Sequence, residues 1–247
     1  MTASWVDDTW LAVDCETTGV DVWSDRIVEI ACVEVRPDGT IGESYNTIVD
    51  PGVEISDEVA AIHGITTARA RDEGIAPAVA LTEVARRIFA HGYRPVIGFN
   101  MRFDWPLMLS EAERHGVDFP FLAPVLDPYL IDRMVERYRK GKRKLTLVAQ
   151  HYAVELDEAD AHGALADAIA AARVMRAIVA RHPKVGEHSL ASAYLRQVRG
   201  HERQRVDFVD WKHKNGDLAF DEPPGWPIPA LVNGGLPVVD QPETQPA

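Results

Sequence analysis

Three short apolar runs rich in β-branched residues open the chain, and their close spacing constrains its fold most strongly. The runs cover residues 10–16, 26–35 and 43–49, and turn residues at 37–39 and 50–52 follow the second and third. Each run has the length and composition of a strand, and short connections join antiparallel neighbours. The beginning of the chain therefore predicts an antiparallel meander of strands.

After this meander the pattern changes to helices that alternate with a buried strand. Helices are predicted at 56–63, 76–91, 104–115, 126–138, 144–152, 164–179 and 188–213. The run PVIGF predicts a buried strand at 95–99, between the second and third of these helices. A meander followed by alternating strands and helices predicts an α/β sandwich with a mixed central sheet.

The chain of 247 residues divides into three predicted parts. Residues 1–182 have the length and apolar content of one α/β domain, and residues 183–216 are predicted to form a helical C-terminal extension. Residues 217–247 are acidic and contain recurring prolines, so we expect this tail to be mostly disordered or extended. Trp105 and Trp211 are predicted to lie in the core.

The formal net charge of −12 argues against tight binding of duplex nucleic acid, because phosphate backbones favour Lys and Arg. Much of this charge lies in the tail, which carries five acidic residues and no Lys or Arg. An enzyme that holds only a few terminal nucleotides needs few phosphate contacts, and bound divalent cations supply positive charge. The composition is therefore compatible with the trimming of strand ends.

Cysteine use and the N-terminal segment indicate a cytoplasmic protein. Cys15 and Cys32 are too few for a disulfide framework, and we expect both to be reduced thiols. The N-terminal segment contains acidic side chains and lacks the apolar core of a signal peptide. No apolar run approaches the roughly 20 residues of a membrane span. We therefore expect cytoplasmic localisation and no membrane partner.

Two carboxylates, Asp14 and Glu16, end the first predicted strand. Because strand residues i and i+2 point to the same side, both side chains project together, while Cys15 faces the core. Adjacent buried carboxylates repel each other and cost roughly several kcal/mol each unless a cation lies between them. A solvated pair at a fraying strand end is the alternative, and the spacing alone does not decide between the two.

Further polar residues follow a later strand and open a later helix. Asp104 comes after the strand at 95–99, at the kind of strand end where ligands gather in α/β sheets, and a role as helix N-cap is the alternative. In HGALAD, a loop position for His162 and an early helical position for Asp167 let both side chains reach one point. The alternatives are a surface histidine and an acidic residue that is favourable near a helix N-terminus.

The motifs VDCETTG, IGFNMRFD and HGALAD together form an ordered set, D-x-E, N-x-x-F-D and H-x-A-x-x-D. With these motifs the chain resembles the DEDDh-type 3′→5′ exonucleases of the ribonuclease H-like superfamily. That group contains the proofreading subunit of bacterial replicative DNA polymerase, ribonuclease T and oligoribonuclease. The segment IHGIT at 62–66 also matches the proofreading-type members, and the resemblance covers about residues 9–180. It implies a ribonuclease H-like three-layer sandwich and release of nucleoside 5′-monophosphates.

The resemblance also implies a two-metal site. Asp14, Glu16 and Asp167 would bind the metal ions directly. Asp104 would bind directly or through water, and His162 would take a proton from the attacking water. Ligand sets made only of oxygen favour two Mg²⁺ or Mn²⁺ ions over zinc.

Substrate contacts are predicted beside these acidic residues. The candidates are Thr17, Thr18, Ile62, His63, Asn100 and Phe103. Thr17 and Thr18 follow the acidic pair, where the terminal nucleotide would lie. By resemblance, Ile62 and His63 pack on the terminal base, and a capped loop position is the alternative for His63. Stacking of this kind tolerates any base, as a general trimming enzyme requires.

A basic run at 139–144, RKGKRK, follows the predicted helix at 126–138. It is interpreted either as a contact for the phosphates of the incoming strand or as a solvated loop between helices, and the sequence does not decide. Asp127 and Asp132, near the start of that helix, are predicted to be structural or capping residues.

Single-stranded DNA 3′ ends are the expected substrate, because the IHGIT segment favours the DNA branch of the family. A ribonuclease of the same fold that trims short RNA is one alternative, since no motif reports contact with the 2′-hydroxyl. A non-catalytic nucleic-acid-binding module is the other. A DNA polymerase is a candidate partner, and the sequence leaves the oligomeric state open.

Overall fold

A computed structural model describes residues 4–156 and 163–229 of the chain. The strands are β1 (Trp10–Thr17), β2 (Ile27–Val35), β3 (Ile41–Ile48), β4 (Val96–Ile97) and β5 (Val125–Leu126). The helices are α1 (Asp57–His63), α2 (Thr67–Glu73), α3 (Pro77–His91), α4 (Met101–Arg114), α5 (Pro128–Val135), α6 (Leu145–His151), α7 (Ala164–Arg181) and α8 (Leu190–Lys214). Among the described residues, no helix combines the length and the apolar character that a membrane crossing requires.

The five strands form one mixed sheet in the order β3-β2-β1-β4-β5. The predicted meander is confirmed, because β1 pairs with β2 and β2 with β3 in antiparallel fashion. β4 and β5 then add parallel to β1 on its other side. β1 is therefore the central strand, and its end carries Asp14 and Glu16 into the middle of the sheet edge.

Helices cover both faces of the sheet and confirm the three-layer sandwich. Alternate residues of β1 point to opposite faces. Leu11, Val13 and Cys15 pack with residues of α3 and α4 in one core cluster. Trp10 and Ala12 pack with residues of α7 in the other. Because the inward face of α7 is rich in alanine, this helix lies close against β1 and β2.

Two elements differ from the sequence prediction in the region that leads to the site. Val125 and Leu126 form the short strand β5, whereas a helix was predicted to begin at residue 126. Asp127 is the N-cap of α5, and this explains why the helix starts two residues later than predicted.

α4 begins at Met101 rather than at residue 104, so the N-cap alternative for Asp104 is wrong. Asn100 holds the N-cap position with φ 65° and ψ 44°, a left-handed conformation that asparagine tolerates.

The described part of the tail, residues 217–229, consists of turns, bends and irregular backbone. It packs against the rest of the structure, because Trp226 is buried in the core beside Tyr194, with 5.6 Å between ring centroids. Arg102 forms an ion pair with Glu222 and donates to main-chain oxygens of the same segment. The rest of the tail, from residue 230, lies outside the described residues.

The prediction that Trp211 lies in the core is wrong, because 56% of this residue is exposed on α8. Trp105, by contrast, is fully buried in α4, as predicted. Trp211 stacks on Phe208, with the ring planes 8° apart, so the two aromatic side chains cover each other on the surface of the helix.

Candidate functional site

Three of the predicted acidic residues meet at one point. Carboxylate oxygens of Asp14, Glu16 and Asp167 all lie within 4.8 Å of one another, and each residue is partly exposed. Asp14 and Glu16 project from the same side of β1, as the strand period requires. Asp167 lies in the first turn of α7, which packs across β1 and β2. Residues from distant parts of the sequence are thus brought together by one helix crossing one strand.

Asp104 joins this group from the other layer of the sandwich. It lies in the first turn of α4 and is almost fully buried. Its Oδ1 accepts a hydrogen bond of 3.2 Å from the main-chain N–H of Cys15, the residue between Asp14 and Glu16. Asp104 is therefore fixed to the end of β1 itself.

The four carboxylates strongly perturb one another. Burial raises the pKa of Asp14 well above its ordinary value, and repulsion from Asp104, Asp167 and Glu16 raises it further. Burial, with repulsion from Asp167, raises the pKa of Glu16 to about 7. Burial also raises the pKa of Asp104, although the Cys15 N–H opposes this shift. Such a cluster is unfavourable without a positive charge among its members.

This donor set fits divalent metal ions of the hard class. All the groups that converge are carboxylate oxygens, and no histidine or cysteine of the described residues belongs to the cluster. Oxygen ligands suit Mg²⁺ and Mn²⁺, whereas zinc prefers nitrogen and sulfur. A bound cation would also relieve the repulsion that raises these pKa values.

Glu29 contributes to the site and was not predicted from the sequence. It lies directly opposite Glu16 in the antiparallel pairing of β1 and β2. Its Oε2 accepts a hydrogen bond of 3.0 Å from the N–H of Ala164, the first residue of α7, and its Oε1 accepts one of 3.0 Å from Asn46. Glu29 therefore fixes the beginning of the helix that carries Asp167. Nothing in the sequence marks it, because the signal is the strand register.

Asp127 has a similar positioning role at the start of α4. Its side chain accepts hydrogen bonds of 3.0 and 3.1 Å from the N–H groups of Asn100 and Met101, and one of 2.8 Å from Tyr129. The predicted capping role is confirmed, since Asp127 is the N-cap of α5. It also holds the left-handed turn at Asn100 that leads into the helix bearing Asp104. Burial raises the pKa of Asp127 to about 7, even though these N–H donors oppose the shift.

The acidic cluster opens into a cleft of about 410 Å³, which we call the acidic cleft. Its lining residues are Asp14, Cys15, Glu16, Phe99, Asn100, Phe103, Asp104, Tyr129, Arg143, Lys144, Leu145 and Asp167. Two of the predicted substrate contacts, Asn100 and Phe103, are therefore part of this lining. Acidic, aromatic and basic groups share one cleft, which suits a ligand with both phosphate and base.

The two threonines after the acidic pair are engaged in local hydrogen bonds. The hydroxyl of Thr17 donates to the carbonyl of Gly19 at 2.6 Å. The hydroxyl of Thr18 donates to Asp25 at 2.8 Å and accepts from the N–H of Arg26 at 3.0 Å. These bonds fold the turn after β1 and leave the threonine side chains partly exposed.

Ile62 and His63 differ in exposure. Ile62 is 61% exposed at the end of α1, whereas His63 is 8% exposed. The Nδ1 atom of His63, the last residue of α1, accepts a hydrogen bond of 3.1 Å from the N–H of Ile65, so its ring is fixed to the backbone that follows the helix. Burial lowers the pKa of His63, and the Thr17 backbone opposes this shift. The backbone contact with Thr17 places His63 beside the end of β1.

His162 falls outside the described residues, as do the other residues from 157 to 161. The structure resumes at Gly163, which is extended and directly precedes α7. The position of the predicted base is therefore defined only by its place in the sequence, five residues before Asp167.

The basic run at 139–144 is divided between two roles. Arg139 and Arg143 form ion pairs of 2.5 and 2.7 Å with the fully buried Asp132, which confirms a structural role for that aspartate. Arg143 and Lys144 also line the acidic cleft. Lys144 is exposed there, so one end of the run offers a cation beside the acidic residues.

A protein-family model described as Exonuclease matches residues 11–175 of the chain. The chain is 31% identical over 205 residues to a DNA polymerase III subunit epsilon-like protein of Rhodobacter capsulatus, covering 81% of this chain and 27% of that protein. It is 30% identical over 179 residues to the chloroplastic/mitochondrial exonuclease DPD1 of Arabidopsis thaliana, covering 68% of this chain and 55% of that protein. The chain thus spans about a quarter of the first relative and about half of the second.

Solved structures share the fold. The structure of E. coli exonuclease I in complex with a dA16 oligonucleotide superposes with a TM-score of 0.60 at 21% identity, covering 73% of this chain and 42% of that one. A second structure of exonuclease I gives a TM-score of 0.63 at 20% identity. At this level of identity the similarity establishes the fold and leaves the chemistry to the site residues.

Proposed function

The chain belongs to the exonuclease family, as a DEDD-type member of the ribonuclease H-like superfamily, and we propose that it is a metal-dependent 3′→5′ exonuclease acting on single-stranded DNA ends. One observation carries the proposal. Oxygens of Asp14, Glu16 and Asp167 lie within 4.8 Å of one another, and Asp104 is hydrogen-bonded to the strand that bears two of them. Carboxylates held this close together repel one another and destabilise the folded protein, and bound cations would remove that repulsion.

Asp14, Glu16 and Asp167 would hold the metal ions, with Asp104 completing the set. Two bound ions would supply Lewis acidity, lower the pKa of the attacking water and neutralise charge at the phosphorus. Mg²⁺ and Mn²⁺ are the ions proposed, because every converging donor is oxygen.

The remaining residues would orient the substrate and move the proton. Asn100 and Phe103 line the acidic cleft and would hold the terminal nucleotide there. Ile62 is exposed in the last turn of α1 and would offer an apolar surface to the terminal base. His162 is proposed as the group that accepts the proton from water, on the strength of its motif. The product would be a nucleoside 5′-monophosphate.

DNA is the proposed substrate, because several similar proteins carry DNA-linked names. The Rhodobacter relative is described as DNA polymerase III subunit epsilon-like, and the exonuclease I structure contains a deoxyadenosine oligonucleotide. A polymerase is the corresponding proposed partner. Since the chain spans only part of these proteins, both substrate and partner require a direct test.

The test uses matched DNA and RNA oligomers labelled at the 5′ end. With Mg²⁺ or Mn²⁺, we expect a ladder of products shortened from the 3′ end, faster on DNA, with release of 5′-monophosphates. EDTA should abolish the ladder. Asp14→Asn, Asp167→Asn and His162→Ala should slow it strongly, whereas the exposed Asp72→Asn serves as a matched control. Faster trimming of RNA would reassign the substrate, and binding without turnover would leave only a binding module.

A further inference from the structure

A basic groove lies between α5, α8 and the turn at Pro183–Val185, on a chain whose net charge is −12. Its volume is about 370 Å³. Six of its lining residues are cationic: Arg133, Arg137, Lys184, Arg196, Arg199 and Arg203. Asp207, which pairs with Arg137 at 2.8 Å, is the only carboxylate among the lining residues. The positive charge is therefore concentrated here against the overall composition.

Three of these cations form a row on one face of α8. Arg196, Arg199 and Arg203 are separated by three and four positions, the spacing that places helical residues on one side. All three are exposed, and none forms an ion pair with a carboxylate of the described residues. Long cationic side chains left without partners in one row repel each other. That repulsion is relieved when a polyanion lies along the row.

The helix that carries this row is held firmly against the exonuclease domain. Gln197 is 1% exposed, accepts a hydrogen bond of 2.8 Å from the N–H of Asp127 and donates one of 3.3 Å to the carbonyl of Val125. At Gly200 a Cβ atom would lie 2.4 Å from the sulfur of Met134, so glycine permits the close approach of α8 to α5. The basic row is thus fixed relative to Asp127, which itself positions the start of α4.

A further groove, of about 540 Å³, connects the acidic cleft with the basic groove. It shares Asn100, Phe103 and Tyr129 with the acidic cleft. It shares Arg133 and Gln204 with the basic groove. The three depressions therefore adjoin one another through shared lining residues, and we call them together the path.

The lining of this path contains both aromatic and cationic groups. The guanidinium of Arg133 lies 5.5 Å from the ring centroid of Tyr129, at the junction of the path. Phe208 and Trp226 line the connecting groove. Stackable rings beside cations are the pattern that single-stranded nucleic acid requires, because bases stack while phosphates seek positive charge.

We propose that the basic groove binds the backbone of single-stranded nucleic acid several nucleotides from the 3′ end that occupies the acidic cleft. This inference rests on the proposed function, which places the 3′ terminus among the acidic residues. The C-terminal extension would thereby supply the phosphate contacts that the acidic domain lacks. It would raise affinity for long strands and leave the terminal chemistry to β1, α4 and α7.

Binding measurements test this assignment without depending on turnover. The variant R196Q/R199Q/R203Q is compared with R71Q/R86Q/R173Q, which removes the same charge from exposed positions that line none of the three depressions. Fluorescence anisotropy with a labelled strand of about 20 nucleotides is followed in Ca²⁺ across a salt series. Log of the binding constant falls linearly with log of the salt concentration, and each phosphate contact adds about 0.7 to the steepness of this line. The groove variant, which lacks three contacts, should therefore give a line shallower by about 2. Between about 50 and 200 mM salt, wild-type affinity should fall about 20-fold more than that of the variant.

An equal slope in the groove variant and wild type would overturn the proposal, as would an equal loss of slope in the control variant. If the natural ligand of the basic groove is an acidic protein and not nucleic acid, the groove variant and wild type should show equal slopes. Thermal melting of both variants shows whether each is folded. We expect both to fold, because the substituted arginines are exposed. Asp207→Asn gives an independent readout, since removal of the one carboxylate in the groove should tighten binding of the long strand.

Cleavage separates this proposal from the proposed function. The ratio of kcat/KM for the long strand to kcat/KM for a trinucleotide should fall in R196Q/R199Q/R203Q, because a trinucleotide is too short to reach the groove. If wild type cleaves both substrates and the ratio is unchanged, the groove proposal fails while the exonuclease proposal stands. If wild type cleaves neither substrate, the exonuclease proposal fails, and the salt slopes still decide whether the groove binds a strand.

Discussion

Buried carboxylates occur in two regions of this protein, and their surroundings are opposite. Away from the acidic cleft, in what we call the scaffold, fully buried Asp132 forms ion pairs with Arg139 at 2.5 Å and Arg143 at 2.7 Å. It also accepts a hydrogen bond of 3.0 Å from the hydroxyl of Tyr152. In the acidic cleft, Asp14 is surrounded by other acids, and burial and repulsion raise its pKa. The same chemical group is neutralised by ion pairs in one place and is surrounded by like charge in the other.

Glu111 shows that the scaffold pattern is general. It is fully buried in α4, forms an ion pair with Arg114 and accepts a hydrogen bond of 3.3 Å from the N–H of Ile27. Seven residues earlier in the same helix, Asp104 accepts a hydrogen bond from the main-chain N–H of Cys15 and is repelled by Asp127 and Glu16. One helix thus carries both kinds of buried acid, so burial alone does not identify a metal ligand. Among the described residues, Glu111 forms an ion pair with Arg114, whereas Asp104 forms none and is repelled by other carboxylates.

The strongest test of this difference is Asp14→Asn. Loss of one metal-binding carboxylate should reduce kcat/KM at least about 1,000-fold, equivalent to about 4 kcal/mol of transition-state stabilisation. The same change removes a repelling charge, so it should raise the melting temperature of the protein in EDTA. Exonuclease assays and thermal melting measure the two effects on one preparation. A variant that lost activity and also became less stable in EDTA would contradict the interpretation of Asp14 as an uncompensated acid.

Asp132→Asn should give the reverse result. It leaves two partly buried guanidinium groups without their carboxylate, and breaking a buried pair in this way costs about 3–5 kcal/mol. Denaturant unfolding should show this loss, and activity measured well below the melting temperature should be retained. Asp207→Asn, which breaks the exposed pair with Arg137, is the matched control and should cost less than about 1 kcal/mol. Equal losses in the two variants would show that burial of the pair has no energetic consequence.

The sequence predicted the parts of the site that depend on local period and motif order. Asp14 and Glu16 could be assigned to one side of a strand, and Asp167 to an early helical turn, because those placements follow from spacing alone. Glu29 was not predicted, because its role depends on strand register. Asp127 was predicted as a structural or capping residue, but its bond to the turn at Asn100 was not, because that contact joins distant parts of the chain. β5 was missed because two residues carry too little pattern to distinguish a strand from a helix start.

The C-terminal region was the least predictable part of the fold. Its prolines and acidic charge predicted a mostly disordered or extended tail over residues 217–247. In the described part, residues 217–229, Trp226 and the ion pair between Arg102 and Glu222 hold the segment against the domain. The basic groove was equally hidden, because its cations come from α5, α8 and the turn before α8. Net charge averages over the surface and does not report a local concentration of opposite sign.

The smallest expected effect concerns the pH dependence of stability in the absence of metal. The pKa of Glu16 is raised from 4.5 to about 7 in the folded protein, so the folded state holds a proton that the unfolded state has released. Glu16 therefore opposes folding increasingly as pH rises from about 4.5 to about 7, and its full penalty is present above that range. As the pH rises from about 4.5 to about 7 in EDTA, the melting temperature of wild type should fall roughly 5 °C further than that of Glu16→Gln. This figure allows for the partial exposure of Glu16, which weakens the effect.

Saturating Mg²⁺ or Mn²⁺ should remove this difference, because the bound ions favour the ionised carboxylate and stabilise the folded state most at high pH. Melting curves at several pH values, with and without metal, measure both effects. If wild type and Glu16→Gln lose stability in parallel in EDTA, then Glu16 is already compensated within the chain. The acidic cleft would in that case resemble the surroundings of Asp132, and the distinction between the two regions would not hold.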